Sequence, residues 1–207
     1  SLNIVTKWTF QFAILSVVFA FSVGLFLSVI LNKEDLKFRR IYRSIFILPY
    51  AIPAFVSVLV WKGILNPDYG VVNAWLSPIY ELFDVEPIRW FLTKDSSRAA
   101  VLLVNTWLGF PYMFLITTGA LQSIPKELTE AAKVDGATGI QSFWKITLPL
   151  LMVSISPLLI GAFAFNFNNF TLVFLLTGGG PPVVGSEVPL GWTDLLISFT
   201  YKLAISG

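Results

Sequence analysis

The sequence predicts an all-α integral membrane protein. Of its 207 residues, 56% are hydrophobic and only 13% are charged, whereas soluble domains carry roughly a quarter of charged residues. Its apolar runs reach the length of about 20 residues that a helix needs to cross the hydrocarbon core of a bilayer. Four such spans are predicted, at residues 8–31, 44–64, 99–121 and 148–177.

Two missing residue types limit the chemistry. The chain has no cysteine and no histidine, which removes thiol nucleophiles, disulfides, imidazole catalysis and Cys/His metal sites. Its net charge of +2 is too small to predict a nucleic-acid partner. We therefore expect a protein that is not an enzyme and that holds no cofactor and no metal.

The first two spans differ in regularity. Residues 8–31 carry no charge and begin with Trp8, a residue type that favours the membrane interface. Residues 44–64 contain Pro49 and Pro53. Since proline removes a backbone donor and clashes with the preceding turn, we expect this span to be kinked or locally unwound near its start.

The last two spans also carry interruption or stop signals. Residues 99–121 contain Gly109 and Pro111, which predict a break that presents backbone groups to a cavity rather than to lipid. Residues 148–177 run as one apolar segment and end at Gly178-Gly179-Gly180-Pro181, a strong stop signal.

Basic residues predict the orientation. They cluster between the first and second spans and again between the third and fourth, at Lys33, Lys37, Arg39, Arg40, Arg43, Lys126, Lys133 and Lys145. The positive-inside rule therefore assigns residues 122–147 to the cytoplasm, and residues 65–98 and 178–207 to the outside.

The external segment 65–98 is too polar to lie in lipid. Its aromatic residues Trp75, Trp90 and Phe91 favour a position along the membrane surface. Contact with an external binding protein is the alternative.

The two ends of the chain predict a longer protein. Residues 192–204 are weakly amphipathic and contain Asp194 and Lys202, so they are expected to form an interfacial or re-entrant piece. The chain does not start with methionine, and four spans leave both of its ends outside. We expect further membrane segments, including a last span beyond Gly207, and we expect the fragment not to be stable alone.

Residues 122–147, called the island below, are a polar stretch between two apolar spans. Ser123 is a candidate helix cap, Pro125 suits the first helical position and Gly136 suits a left-handed helix end. Trp144 is among the aromatic and aliphatic residues expected to pack back on the membrane helices. Physical arguments alone leave two interpretations open, an ordinary connection and a docking element.

The order of residues in the island resembles the EAA motif of binding-protein-dependent ABC importer permeases. Glu130-Ala131-Ala132 is followed by Asp135-Gly136-Ala137 and then by Ile146-Thr147-Leu148-Pro149. The resemblance implies a type I (MetI-like) transmembrane domain whose island fits a cleft of a cytoplasmic ATPase. It assigns the coupling role to Glu130, Ala131, Ala132, Asp135, Gly136 and Ala137, and it gives neither carboxylate a catalytic role.

Three asparagines lie among phenylalanines in the fourth span, as FAFNFNNF at residues 163–170. Buried amides are costly in a membrane unless each is hydrogen-bonded. Asn166 and Asn169 are three residues apart and share a helical face, whereas Asn168 is assigned to helix packing. The shared face indicates either interhelical hydrogen bonds or a translocation pathway for a neutral passenger.

The third span carries a comparable set of polar, aromatic and helix-breaking residues. Asn105 and Tyr112 belong to it, together with Gly109 and Pro111.

The resemblance extends to the maltose/maltodextrin permease subunits, the MalF-like group of that family. It is carried by ILPYAIPAFVSVLVWKGILN, NTWLGFPYMFLITTGALQSIP, FAFNFNNF and LLTGGGP, together with the island. It implies that the sugar-contacting residues are Leu108, Gly109, Tyr112, Phe165, Asn166 and Asn169. The chain departs from the group at Ala54 and Ala162, where a serine hydroxyl is expected.

The implied function is sugar import across the bacterial cytoplasmic (inner) membrane by a multi-pass permease. The implied partners are a second permease subunit (MalG-like), a cytoplasmic ATPase dimer (MalK-like) and an external sugar-binding protein. An ABC permease for another solute, such as glycerol phosphate or a different oligosaccharide, is one alternative. A proton-coupled secondary transporter would need an intramembrane carboxylate or a histidine, and a membrane enzyme would need a histidine, a cysteine or an acidic pair; none is evident. A sodium-coupled transporter that uses backbone carbonyls stays open, but it would leave the EAA motif unexplained.

Overall fold

The computed structural model describes residues 2–32 and 37–206. Lys33, one of the basic residues used for the orientation, lies outside the described residues. The described residues form helices joined by turns, with an isolated antiparallel bridge between Pro182 and Gly191. The predicted all-α class is confirmed.

A sharp bend follows the first long helix. Helix α1 covers Leu2–Leu31, α2 covers Arg39–Ala51 and α3 covers Ala54–Ile64. Helices α2 and α3 meet at 94°. Pro53 disfavours a helical conformation in the residue before it, so Ile52 is extended and α2 ends. The kink predicted from the prolines is confirmed.

The third long helix is not broken. Helix α4 covers Val71–Phe83, and α5 covers Lys94–Ser123 and passes through both Gly109 and Pro111. The break predicted at these residues is wrong. Pro111 removes only one intrahelical hydrogen bond, and its buried position lets neighbouring helices hold the backbone in place.

The island leads into the fourth span through helices of different type. Helix α6 covers Lys126–Val134 and α7 covers Gly139–Ser142. A π-helical turn, Phe143–Thr147, then leads into α8, Leu148–Phe167.

The fourth span is divided at its asparagines. Helix α8 ends at Phe167 and α9 covers Phe170–Leu176, so residues 148–177 do not form one helix. The side chain of Asn169 accepts a hydrogen bond from the Leu172 amide at 3.4 Å and caps the new helix. An N-cap residue is non-helical, which explains the break.

Within residues 2–32 and 37–206, three helices are long and apolar enough to span a membrane, or four if the bent pair α2–α3 counts as one span. Helix α1 packs along α5 and α8. At the closest crossing, a Cβ on Gly24 would lie 2.6 Å from the Phe114 amide nitrogen. The Ser28 hydroxyl donates to the Phe114 carbonyl at 3.0 Å and lies 2.6 Å from the Thr117 hydroxyl. Small residues and hydroxyls at a close crossing are typical of membrane helix pairs.

The C-terminal tail packs on the helices. Helix α10, Leu196–Ser206, contacts α1 and α9, and Phe199 is buried against Val5 and Leu190. The two charges that interrupt the tail pattern pair with each other, since Lys202 Nζ lies 2.7 Å from Asp194 Oδ2.

The segment 65–98, which was predicted to lie outside, is organised around one amide. Asn73 Nδ2 donates to the carbonyls of Pro67 and Ile88, while its Oδ1 accepts from Tyr80 and Trp90. Trp90 is therefore buried and is not a surface anchor, whereas Trp75 is 80% exposed.

Candidate functional site

A cavity of about 700 Å³ lies between α1, the α2–α3 bend, α5, α8 and α9. Pockets that bind small molecules measure roughly 300–1,000 Å³. We call it the central cavity. The six residues that the resemblance assigned to sugar contact all line it, namely Leu108, Gly109, Tyr112, Phe165, Asn166 and Asn169.

Three asparagine side chains in this cavity form a hydrogen-bonded amide chain. Asn105 Nδ2 donates to Asn166 Oδ1 at 2.6 Å, and Asn169 Nδ2 donates to Asn105 Oδ1 at 3.1 Å. Asn166 Nδ2 donates in turn to the Ala162 carbonyl at 2.8 Å. An amide nitrogen carries two N–H groups. Among the described residues these bonds use one donor on each amide, so each has a second N–H to offer a ligand.

The break between α8 and α9 sets the position of Asn169 in the amide chain. Because α8 ends at Phe167, Asn169 stands at the start of α9 rather than one turn along the same helix as Asn166. Asn168 does not line the cavity; its side chain is exposed and donates to the Ala164 carbonyl of its own helix.

Asn105 was not among the residues that the resemblance assigned to sugar. Its spacing carried a signal, since residues 105, 108, 109 and 112 recur with the periodicity of one helical face. Ser16 of α1 also lines the cavity; its hydroxyl is buried and makes no hydrogen bond to any described residue. Nothing in the local sequence distinguishes Ser16 from the other small residues of α1.

Aromatic and apolar side chains form the other walls. The ring of Phe165 is 73% exposed and that of Tyr50, from α2, is 60% exposed. Ala54 and Ala162, the two departures from the family pattern, both line the cavity and make these parts of the wall apolar. Gly109 also lies close to α1, since a Cβ added at residue 109 would lie 3.3 Å from the Ala20 side chain.

The lining of the central cavity is uncharged throughout the described residues. The irregular backbone at the α2–α3 bend faces this cavity, with Pro49 to Ala54 along one side. Non-helical backbone at membrane depth is tolerated where it lines a cavity. The site therefore offers amides, rings and backbone groups to a neutral ligand.

The island places its six predicted coupling residues around the end of α6. Gly136 has φ +83°, so the predicted left-handed helix end is confirmed. The Gly136 amide donates to the Lys133 carbonyl, and the Ala137 amide donates to the Ala132 carbonyl at 2.9 Å. Asp135 is the last residue before this turn.

These six residues do not share one surface. Glu130 and Ala131 are exposed, whereas Ala132 is buried against the rest of the protein. Two local predictions are wrong. The Ser123 hydroxyl donates to the Ala120 carbonyl instead of capping α6, and Pro125 occupies the cap position itself.

The second helix of the island begins with a capping box that the sequence analysis missed. The Thr138 hydroxyl accepts from the Gln141 amide, and the Gln141 side chain accepts from the Thr138 amide. The Thr-x-x-Gln spacing is the sequence pattern of a capping box and could have predicted it.

The island presents apolar side chains to its surroundings. Val134 is 87% exposed, Ile140 74% and Trp144 63%. The prediction that Trp144 packs back on the membrane helices is therefore wrong. Large apolar side chains left exposed on a polar connection are typical of an interaction surface.

Fold and site together define a multi-pass α-helical membrane protein with an uncharged polar cavity between its spans and a structured island at one end of them. The chain belongs to the family of binding-protein-dependent transport system inner membrane components, whose model matches residues 20–205. It is a multi-pass protein of the inner membrane.

Its relatives include maltose/maltodextrin transport system permease proteins MalF. The chain is 48% identical to that of Salmonella typhimurium over 200 residues, which cover 97% of this chain and 38% of the relative. The MalF protein of Vibrio vulnificus gives the same identity and coverage. The chain thus spans 38% of the length of these relatives.

Solved structures share the fold. A bacterial ABC transporter involved in the import of the acidic polysaccharide alginate matches with a TM-score of 0.80 and 25% identity, over 99% of this chain and 68% of that one. The alginate transporter in complex with an alginate pentasaccharide-bound periplasmic protein matches with a TM-score of 0.79 and 26% identity.

Proposed function

We propose that this chain is a permease subunit of an ABC importer that moves maltose, maltodextrin or a related oligosaccharide across the cytoplasmic membrane. The observation that carries the proposal is the central cavity, which is lined by every residue assigned to sugar contact and which also contains the amide chain. The chain itself performs no chemistry. ATP hydrolysis takes place on a partner ATPase and is coupled to the spans through the island.

The chemistry of the cavity supports a neutral sugar. Sugar hydroxyls both donate and accept, as amides do, and sugar C–H faces pack on exposed rings such as Phe165 and Tyr50. The structural relatives import the acidic polysaccharide alginate. An uncharged lining offers no counter-ion for such a passenger or for a phosphate. The apolar positions Ala54 and Ala162 leave the exact sugar open to experiment.

Two surfaces support the proposed partners. The exposed group Leu128, Ala131, Val134 and Ile140 on the island suits an apolar cleft of an ATPase, and Glu130 beside it suits a basic group there. Helix α8 is exposed over most of its length, with Val153 78% and Ile160 70% exposed.

We assign the exposed side of α8 to a second, MalG-like permease subunit. The ATPase is a MalK-like dimer. An external sugar-binding protein delivers the passenger to the cavity when it opens outward.

The coupling role is tested by Gly136→Val in the assembled transporter. A β-branched residue cannot hold the φ of +83° without strain, so the end of α6 is displaced. We expect ATPase activity in liposomes to lose its stimulation by sugar-loaded binding protein, although the complex still assembles. The matched control is Gly139→Ala, which lacks positive φ and whose added Cβ meets nothing within 4 Å.

Unchanged stimulation in Gly136→Val would make the island an ordinary connection. Sugar uptake driven by a sodium or proton gradient without ATP would instead support the ion-coupled alternative.

A further inference from the structure

Helix α4 exposes apolar side chains along its whole length. Val71, Trp75, Ile79 and Leu82 follow one another at intervals of three or four residues and so share one helical face, and Phe83 extends this face one turn beyond Ile79. All five are exposed, and Leu82 reaches 77%. We call these five residues the α4 stripe. They form one surface and are not isolated exposed side chains.

The opposite face attaches α4 to the rest of the protein. Asn73 and Tyr80 are both buried, and the seven residues between their positions make two helical turns, so they share this face. Residue 73 lies about 160° around the helix from Trp75. The Asn73 side chain donates to the carbonyls of Pro67 and Ile88 at 3.1 and 2.9 Å. These bonds fix the rotation of α4, and the α4 stripe therefore points away from the residues that hold the helix.

A compact turn keeps α4 close to the end of α3. The Asn66 side chain accepts from the Asp68 and Tyr69 amides at 2.9 and 3.2 Å, and the Asn66 carbonyl accepts from the Gly70 amide at 2.9 Å. Even fully extended, the segment 65–70 would reach only about 20 Å. Helix α4 therefore starts near the level at which α3 ends. Because α5 leads from this level to the island, α4 lies at the end of the spans opposite the island.

Tryptophan and lysine residues are grouped at this level. Trp61 and Lys62 lie in the last turn of α3. Lys94 begins α5, and its Nζ lies 4.7 Å from the centre of the Trp192 ring. Tryptophan is enriched where a membrane meets water, and lysines near the ends of spans reach to the same boundary. A helix held at this level has lipid headgroups and the ends of the acyl chains within reach.

The composition of α4 favours lipid as the molecule that covers the stripe. Glu81 is the single charged residue of the helix, and it lies with Ser77 on the polar side. The α4 stripe thus offers no charge with which a protein partner could pair. The spans that precede and follow it already require a bilayer. An amphipathic helix next to a bilayer lies in the plane of its surface with the apolar face buried.

We propose that α4 lies in the membrane–water interface at the end of the spans opposite the island, with the α4 stripe in contact with lipid. Of the three aromatic residues that predicted a surface position for segment 65–98, Trp75 is the one that belongs to the stripe. The described lining of the central cavity includes no residue of α4. The anchor is therefore separate from the passenger site and does not depend on which solute is carried.

The test measures how deeply single residues lie in the membrane. Leu82→Cys on the stripe and Ser77→Cys on the polar side are each made in the full-length protein without other cysteines, and the thiol is labelled with a nitroxide. The labelled protein is assembled with its partner subunits in phosphatidylcholine nanodiscs. Electron paramagnetic resonance then compares collisions of the label with oxygen and with a water-soluble nickel complex. We expect the label at residue 82 to lie about 5–10 Å into the boundary between headgroups and acyl chains, and the label at residue 77 to remain in water.

Lipid composition tests the apolar origin of the contact. Helix α4 has no basic residue that could attract anionic headgroups. The depth at residue 82 should therefore be the same in phosphatidylcholine and in an equal mixture of phosphatidylcholine and phosphatidylglycerol. A depth gained only with phosphatidylglycerol would contradict the proposal.

Two further results would overturn it. Equal access of the nickel complex to the labels at residues 82 and 77 would place the stripe in water. A label at residue 82 that is shielded from both oxygen and nickel would mean that protein covers the stripe. Repeating the measurement with and without sugar-loaded binding protein would then separate that protein from a segment of the assembled permease. Ile79→Cys, on the same stripe, replaces Leu82→Cys should that variant not assemble.

Discussion

Asn105 is the residue that joins the two halves of the amide chain. It donates to Asn166 and accepts from Asn169, which lie on either side of the helix break. Without Asn105, both partners lose a hydrogen bond in a place where water competes poorly. Satisfied polar networks of this kind hold their members in one geometry.

We expect Asn105→Leu to reduce sugar uptake by proteoliposomes roughly tenfold, the effect of about one to two hydrogen bonds. Leucine has a similar size but cannot hold the Asn166 and Asn169 amides in place. Asn168→Leu is the matched control, because the Asn168 side chain donates to the Ala164 carbonyl of its own helix and does not line the cavity. Equal losses in the two variants would mean that the amides stabilise helix packing and do not contact the passenger.

At the scale of the helices, the crossing of α1 and α5 depends on one missing side chain. A Cβ on Gly24 would lie 2.6 Å from the Phe114 amide nitrogen and 2.7 Å from the Met113 carbonyl carbon. These are backbone atoms and cannot turn aside. The two helices can approach this closely only while residue 24 is glycine.

Gly24→Ala is therefore expected to destabilise the complex by about 1–3 kcal/mol, as overpacking does elsewhere. The measurement is the apparent melting temperature of the detergent-solubilised complex, followed by fluorescence-detected size exclusion. Gly119→Ala on α5 is the control, since its added Cβ meets nothing within 4 Å and alanine favours a helix. A lower melting temperature for Gly119→Ala than for Gly24→Ala would contradict the close-packing account.

At the scale of the whole molecule, a buried charge lies where the C-terminal tail meets the loop after α9. Asp194 is 1% exposed. It accepts from the Gly191 amide and the Ser198 hydroxyl and pairs with Lys202 on α10. A side chain on Gly179 would overlap the Asp194 carboxylate, so the glycine loop after α9 fits closely over this pair. The tail and the loop are held together around it, and the Leu196 amide joins the tail to the Thr9 hydroxyl of α1.

Removing only the positive partner should destabilise this end strongly. We expect Lys202→Met to cost about 3 kcal/mol, because it leaves a carboxylate buried without a counter-ion. Removing both charges in Asp194→Asn/Lys202→Met should cost less than Lys202→Met alone. The apparent melting temperatures of the two variants and of Lys145→Met, an exposed lysine, provide the comparison. A double variant less stable than Lys202→Met would argue against the buried pair.

Features that depend on local order could be predicted from the amino-acid sequence. Apolar runs gave the all-α membrane class, Pro53 ended α2, and Gly136 ended α6 with a left-handed residue, because each effect acts within a turn or two of its cause. The family resemblance, which covers nearly the whole chain, selected six residues, and all six line one cavity in the structure.

Contacts between residues far apart in the chain could not be predicted in this way, because they depend on how the helices pack. Asn105 lies 61 residues from Asn166 and 64 from Asn169, and no local pattern fixes which amides meet. The same holds for the burial of Trp90 by Asn73 and for the pairing of Asp194 with Lys202. Helix α5 remains whole through Gly109 and Pro111 because neighbouring helices hold it. Such outcomes depend on packing free energy, which is shared among segments far apart in the chain and cannot be assigned to any one of them.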